Sequence, residues 1–246
     1  MDLGLDGKLC LVTGGTRGIG AATARLLRNE GAQTLTVARS GGDLELDVTL
    51  PDAGDQLLAA CPAPPWALVN NAGTSHARPL EELTDADWNE QWELHVMAPL
   101  RLTRVLAPAM AEAGGGRVVN VTSSSGKRPS QTLDAAYSVT KAAQLSLSRV
   151  LAEEFGGDGV LVNAIAPGPV ETPLWTAEGG LADEVAQRSG RTRDEVLAST
   201  HAKALTGRMS AEDEIAAVIV FLCSTKASNV AGSAWTVDGG STPSIF

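Results

Sequence analysis

Short apolar runs recur along the chain, and each is followed by small residues and then by a longer stretch whose apolar positions return every three to four residues. Leu9-Cys10-Leu11-Val12 is the first run, and it predicts a strand. Gln33-Thr34-Leu35-Thr36-Val37-Ala38 alternates and is rich in β-branched residues, which predicts a second. Further strands are expected at Leu44-Glu45-Leu46-Asp47-Val48, Trp66-Ala67-Leu68-Val69-Asn70, residues 117–122 and 160–165, and from Ala234 onward. Between them the period lengthens to that of helices. One helix runs from the glycines at 14–20 to near Gly31. A second opens at Thr84 with an acidic first turn, carries Trp88, Trp92, His95, Leu102, Val105 and Leu106, and stops at Gly114-Gly115-Gly116. A third spans residues 134–155, and Ser210 is expected to cap a helix opened by Glu212-Asp213-Glu214. Residues 171–206 are helical, rich in Ala and charge, and broken at Gly179-Gly180 and Gly190, as a substrate lid would be. Strands alternating with helices predict an α/β chain: three layers, a doubly wound sheet of about seven parallel strands, and helices on both faces.

Composition narrows the function classes. At 246 residues with no linker or charge block, the chain is read as one domain over 1–246. Lys and Arg number 19 against 29 Asp and Glu, a net charge of −10, which argues against a nucleic-acid partner. Cys10, Cys61 and Cys223 lie far apart without metal-ligand spacing, so neither a disulfide framework nor a metal site is expected, and a reducing cytoplasm fits. No basic leader and no long apolar run is present, so no membrane association is expected.

The candidate chemistry collects at strand ends. Gly14, Thr16, Arg17, Gly18, Ile19 and Gly20 follow the first strand and open a helix, where backbone N–H groups can approach a pyrophosphate. An acidic residue about twenty positions on would hold a ribose 2′-hydroxyl. Ala38-Arg39 stands there instead, and with Arg17 it predicts a 2′-phosphate and therefore NADP(H). Asp47 and Val48 are expected near the adenine, and at Asn71-Ala72-Gly73 small residues permit close approach of the backbone to a ligand. Ser123-Ser124-Ser125 ends the fifth strand, and Pro167-Gly168, with Val170 and Thr172, ends the sixth. Tyr137, the only tyrosine, sits one helical turn before Lys141, a spacing that puts a phenol beside an ammonium and favours its ionisation. Trp175, Leu174, Leu181 and Leu133 could form an apolar substrate wall, and Lys127-Arg128 could attract an anionic group.

Six ordered motifs resemble the short-chain dehydrogenase/reductase family: Thr13-Gly14 with Gly18-Ile19-Gly20, Asn70-Asn71-Ala72-Gly73, Asn120-Val121-Thr122-Ser123 with Gly126, Tyr137 with Lys141, Pro167-Gly168, and Val237-Asp238-Gly239-Gly240. The resemblance covers essentially the whole chain and implies a Rossmann-type fold. It implies that Tyr137 exchanges a proton with a carbonyl or alcohol oxygen while hydride moves at the nicotinamide, that Lys141 lowers the tyrosine pKa and binds the nicotinamide ribose, and that a serine holds the substrate oxygen. Counted from the strand that serine is Ser123, and counted back from Tyr137 it is Ser124; the strand anchor favours Ser123. His95 stands where relatives carry an asparagine of the proton relay, either as a substitute or as a packed helix residue. The resemblance also implies a homotetramer or homodimer, with the uncharged end Ser241–Phe246 packed across an interface. The expected activity is interconversion of a small-molecule ketone and a secondary alcohol, a 3-oxoacyl thioester being one candidate. A catalytically silent NADP(H) sensor is the alternative.

Overall fold

A computed structural model of the chain describes residues 2–243. It places seven strands in one parallel sheet ordered β3-β2-β1-β4-β5-β6-β7. These are β1 (Leu9–Thr13), β2 (Gln33–Ala38), β3 (Leu44–Glu45), β4 (Ala67–Asn70), β5 (Gly116–Val121), β6 (Val160–Pro167) and β7 (Ala234–Val237). The order reverses between β1 and β4, the point at which an open sheet leaves a crevice beyond its carboxyl ends.

Alternation along each strand divides the core into two layers. Leu9 and Leu11 of β1 face one side, with Leu68, Val118, Leu102, Leu106 and Met110; Cys10 and Val12 face the other, with Val69, Val119, Leu27, Ile215 and Ile219. The first layer is covered by α2 (Ala53–Ala60), α4 (Ala98–Glu112) and α6 (Ala135–Phe155). The second is covered by α1 (Gly18–Asn29) and, late in the chain, by the helix Glu212–Cys223. Strands buried on both faces account for the unbroken apolar runs of β1 and β4.

Three boundaries depart from expectation. β3 ends at Glu45 because Asp47 turns the chain: its Oδ1 accepts the Thr49 N–H at 2.9 Å and the Thr49 hydroxyl at 2.7 Å. The long helix expected from Thr84 is α3 (Asp85–Trp92), a π-helical turn at Glu93–Met97, and α4. Pro99 has no N–H to give the His95 carbonyl four residues earlier, so regular α-helical bonding cannot cross this point. The helix Glu212–Cys223 is capped by Ala211, not Ser210, through its N–H to the Glu214 carboxylate at 2.8 Å.

The segment 171–206 carries three helices after the short α5 (Ser124–Lys127) and α6: α7 (Pro173–Thr176), α8 (Leu181–Ser189) and α9 (Arg193–His201). They close over a small core of Trp175, Leu181, Ala182, Val185, Val196 and Met209. The end of the chain expected to pack across an interface lies, for residues 244–246, outside the described residues.

Candidate active site

The crevice at the carboxyl ends of the strands is a cleft of about 880 Å³. Its floor begins with the glycine turn, where Gly14 and Gly18 adopt positive φ of 64° and 58°. The turn is tied to the loop after β4: Asn71 Nδ2 donates to the Thr13 and Gly14 carbonyls at 2.9 and 3.1 Å, and Thr13 Oγ1 accepts the N–H groups of Asn71 and Ala72, each at 3.0 Å. Arg17 precedes α1 without a side-chain cap, so the first-turn N–H groups of α1 remain available to an anion. Gly20 does not line the cleft as expected; a Cβ there would lie 2.2 Å from the Gly14 carbonyl oxygen, so its role is close packing beneath the turn.

Arg17, Arg39 and Ser40 line one end of the cleft, with Asp47 and Val48 beside them. Neither Arg17 nor Arg39 enters an ion pair among the described residues. Arg28, by contrast, is taken by Asp43 at 2.8 Å. Asp47 is held below the usual carboxylate range by its bonds to Thr49, with the Arg39 charge adding to the effect. Two unpaired guanidiniums at the end of β2 fit a 2′-phosphate, so these residues suit NADP(H). Gly73, Pro167, Gly168 and Val170 line the far end, and Thr172 lies against Gly18 of the glycine turn. Asp238 shapes that turn, since a Cβ on Gly168 would come within 2.7 Å of its Cβ.

Tyr137, Ser123 and Lys141 meet at this far end. Ser123 lies two residues beyond β5 and caps α5, and its hydroxyl lies close enough to the phenol to favour phenolate. Ser124, the alternative, does not line the cleft. Lys141 is buried; its Nζ donates to the Val121 carbonyl and to Gln144 Oε1, both at 2.9 Å, and lies 5.8 Å from the Tyr137 ring centre. Burial without a carboxylate partner pulls it down to about 7. Burial pushes the Tyr137 phenol up, Ser123 pulls it down, and the Asp134 charge pushes it up again.

His95 is buried in the π-helical turn, edge-on to Tyr137 with ring centres 5.5 Å apart. Its Nε2 accepts the Thr74 N–H at 3.3 Å, so Nδ1 carries the proton and donates to Thr140 Oγ1 at 3.0 Å. Thr140 in turn donates to the Ala136 carbonyl at 2.8 Å. Burial, aided by the Lys141 charge, holds the imidazole well below its ordinary pKa. With both nitrogens engaged, this arrangement braces α6 against the loop after β4.

Several sequence candidates do not reach the cleft. Leu181 is buried in the core of the 171–206 segment and Leu133 packs against it, leaving Trp175 and Leu174 as the wall. Lys127 Nζ is held by the Ala234 carbonyl and Thr236 Oγ1 at 3.0 and 2.8 Å, which ties it to β7, and neither it nor Arg128 lines the cleft. Conversely, Thr74 and His76 line the cleft without having been singled out, though they directly follow the Asn71-Ala72-Gly73 motif. No cluster of His, Cys, Asp and Glu able to hold a metal exists among the described residues. None of their helices is long and apolar enough to cross a membrane.

Comparison with known proteins agrees with this geometry. A family model described as enoyl-(acyl carrier protein) reductase matches residues 14–242. The uncharacterized oxidoreductase YvrD of Bacillus subtilis (strain 168) is 34% identical over 98% of this chain and 98% of its own. The 3-oxoacyl-[acyl-carrier-protein] reductase FabG of Escherichia coli (strain K12) is 32% identical over 97% of this chain and 98% of its own. Among solved structures, L-sorbose reductase from Gluconobacter frateurii, complexed with NADPH and L-sorbose, superposes with a TM-score of 0.89 at 34% identity, covering 100% of both chains.

Proposed function

Because the chain belongs to the short-chain dehydrogenase/reductase family, we propose that it is an NADP(H)-dependent oxidoreductase that interconverts a ketone and a secondary alcohol. The observation that carries this reading is the meeting of Ser123, Tyr137 and Lys141 in one cleft with the unpaired Arg17 and Arg39 at its other end. Bound nicotinamide would supply or accept hydride. Arg17 and Arg39 would hold the 2′-phosphate, and the N–H groups at the start of α1 the pyrophosphate. Lys141 would hold the nicotinamide ribose. Ser123 would orient the substrate oxygen, and Tyr137 would give it a proton in reduction or take one in oxidation. Trp175, Leu174 and the segment 171–206 would exclude water from the reacting atoms. His95 serves as a brace for the catalytic helix and takes no proton.

Two substrate classes follow from the relatives, a small polyhydroxylated ketone and a 3-oxoacyl thioester. Neither Lys127 nor Arg128 lines the cleft, which leaves a small ketone as the favoured substrate. A panel of ketones and alcohols assayed with both coenzymes tests the reading. NADPH-dependent turnover of a ketone is expected. Failure to bind either nicotinamide coenzyme in a fluorescence titration would overturn it.

A further inference from the structure

Directly behind Tyr137 lies a buried carboxylate that the proposed reaction does not use. Asp134 is 0% exposed at the start of α6. Its Oδ1 accepts the Tyr137 N–H at 2.7 Å, and its own N–H donates to the His76 carbonyl at 2.9 Å. Its Oδ2 is buried and has no hydrogen-bond partner among the described residues. A helix cap needs only an oxygen, which Ser or Asn supplies without charge, whereas a buried anion with an unpartnered oxygen is costly. Capping alone therefore does not account for a carboxylate here.

The charges that face Asp134 come from the loop after β4, where Arg78 and His76 lie. Arg78 is shared with other acids: it donates to Asp87 of α3 at 2.7 Å, and it also faces Glu184 of α8. Arg188 of the same helix is spent on the carbonyls of Ala77 and Gln131. On the phenol's side stand Ser123 just beyond β5, neutral His95 in the π-helical turn, and Lys141 one turn along α6. The negative charge of Asp134 is thus only partly offset, and a phenol three residues away must ionise against it.

We infer that Asp134 is a positioning residue for the proton transfer, its Oδ1 orienting the turn that carries Tyr137 and its buried, half-unpartnered carboxylate setting a negative charge beside that turn. This rests on the proposed role of Tyr137 as the acid.

Because Tyr137 is the only tyrosine, phenolate absorbance measured without coenzyme or substrate reads it alone. Asp134→Asn and Asp134→Ser keep a capping oxygen and remove the charge, while Asp134→Ala removes both. In all three the phenolate midpoint is expected to move to lower pH. The pH at which ketone reduction falls off should move with it, and Asn or Ser should restore the Tm that Ala loses. Coincident midpoints in wild type and in the uncharged caps would overturn the inference. A shifted midpoint with an unshifted reduction profile would instead overturn Tyr137 as the acid and leave the electrostatic effect of Asp134 standing.

Discussion

Arg39 stands where an acidic residue would select the unphosphorylated coenzyme, and its guanidinium and that of Arg17 are uncommitted. Each charge-assisted bond to a 2′-phosphate contributes about 1.5–3 kcal/mol. Arg39→Asp is therefore expected to weaken NADPH roughly 10- to 100-fold and to leave NADH nearly unchanged, as measured by coenzyme fluorescence titration. His95 calls for a different test. Its pKa is lowered on folding, so its contribution to stability is complete above the unfolded value of about 6.5 and is lost as the pH falls below it. His95→Asn should flatten the fall in Tm between pH 7 and pH 5. The limbs of the activity profile should remain where they are in the wild type, whereas loss of a limb would identify His95 as a proton carrier. At this scale the motif residues were legible because each is a chemical type at a fixed offset from a strand end. Tautomer, burial and the commitments of Lys127 and Lys141 were not, because they depend on partners distant in sequence.

The elements most readily read are those whose period alone decides them. β2 falls where alternation puts it, and the breaks at Gly179-Gly180 and Gly190 separate α7, α8 and α9 as expected. Boundaries set by a single side chain are harder: Asp47 ends β3 early, and Pro99 accompanies the π-helical turn that carries His95 inward. The segment 171–206 is fastened by two residues of α8. Glu184 accepts the Ala77 N–H at 2.7 Å and meets His76 Nδ1 at 3.3 Å, while Arg188 donates to the Gln131 carbonyl at 2.7 Å. These contacts join α8 to the loop after β4 and to the loop between α5 and α6. Glu184→Ala is expected to raise KM for the ketone roughly 10- to 100-fold while coenzyme affinity holds, since loss of a charged group's hydrogen bond to a backbone N–H costs about 1.5–3 kcal/mol. Equal effects on KM and on coenzyme binding would count against a role confined to substrate closure.

On the scale of the whole molecule, a buried parallel sheet makes the architecture legible from apolar runs alone, and the reversal of strand order puts the cleft at one edge. Assembly is less so. Val139 and Val150 of α6 are 49% and 57% exposed and, three turns apart, lie on one face of the helix. An oligomer that pairs this face would cover them, and light scattering should then give a multiple of the chain mass that Val150→Glu reduces. A wild-type monomer would exclude that pairing. The central claim is that Tyr137 moves the proton, and its single replacement tests it most directly. Tyr137→Phe leaves the protein with no phenol. NADPH should bind as in the wild type, while the single-turnover rate of ketone reduction falls by about 10²–10⁴. Reduction at the wild-type rate in Tyr137→Phe would contradict the account.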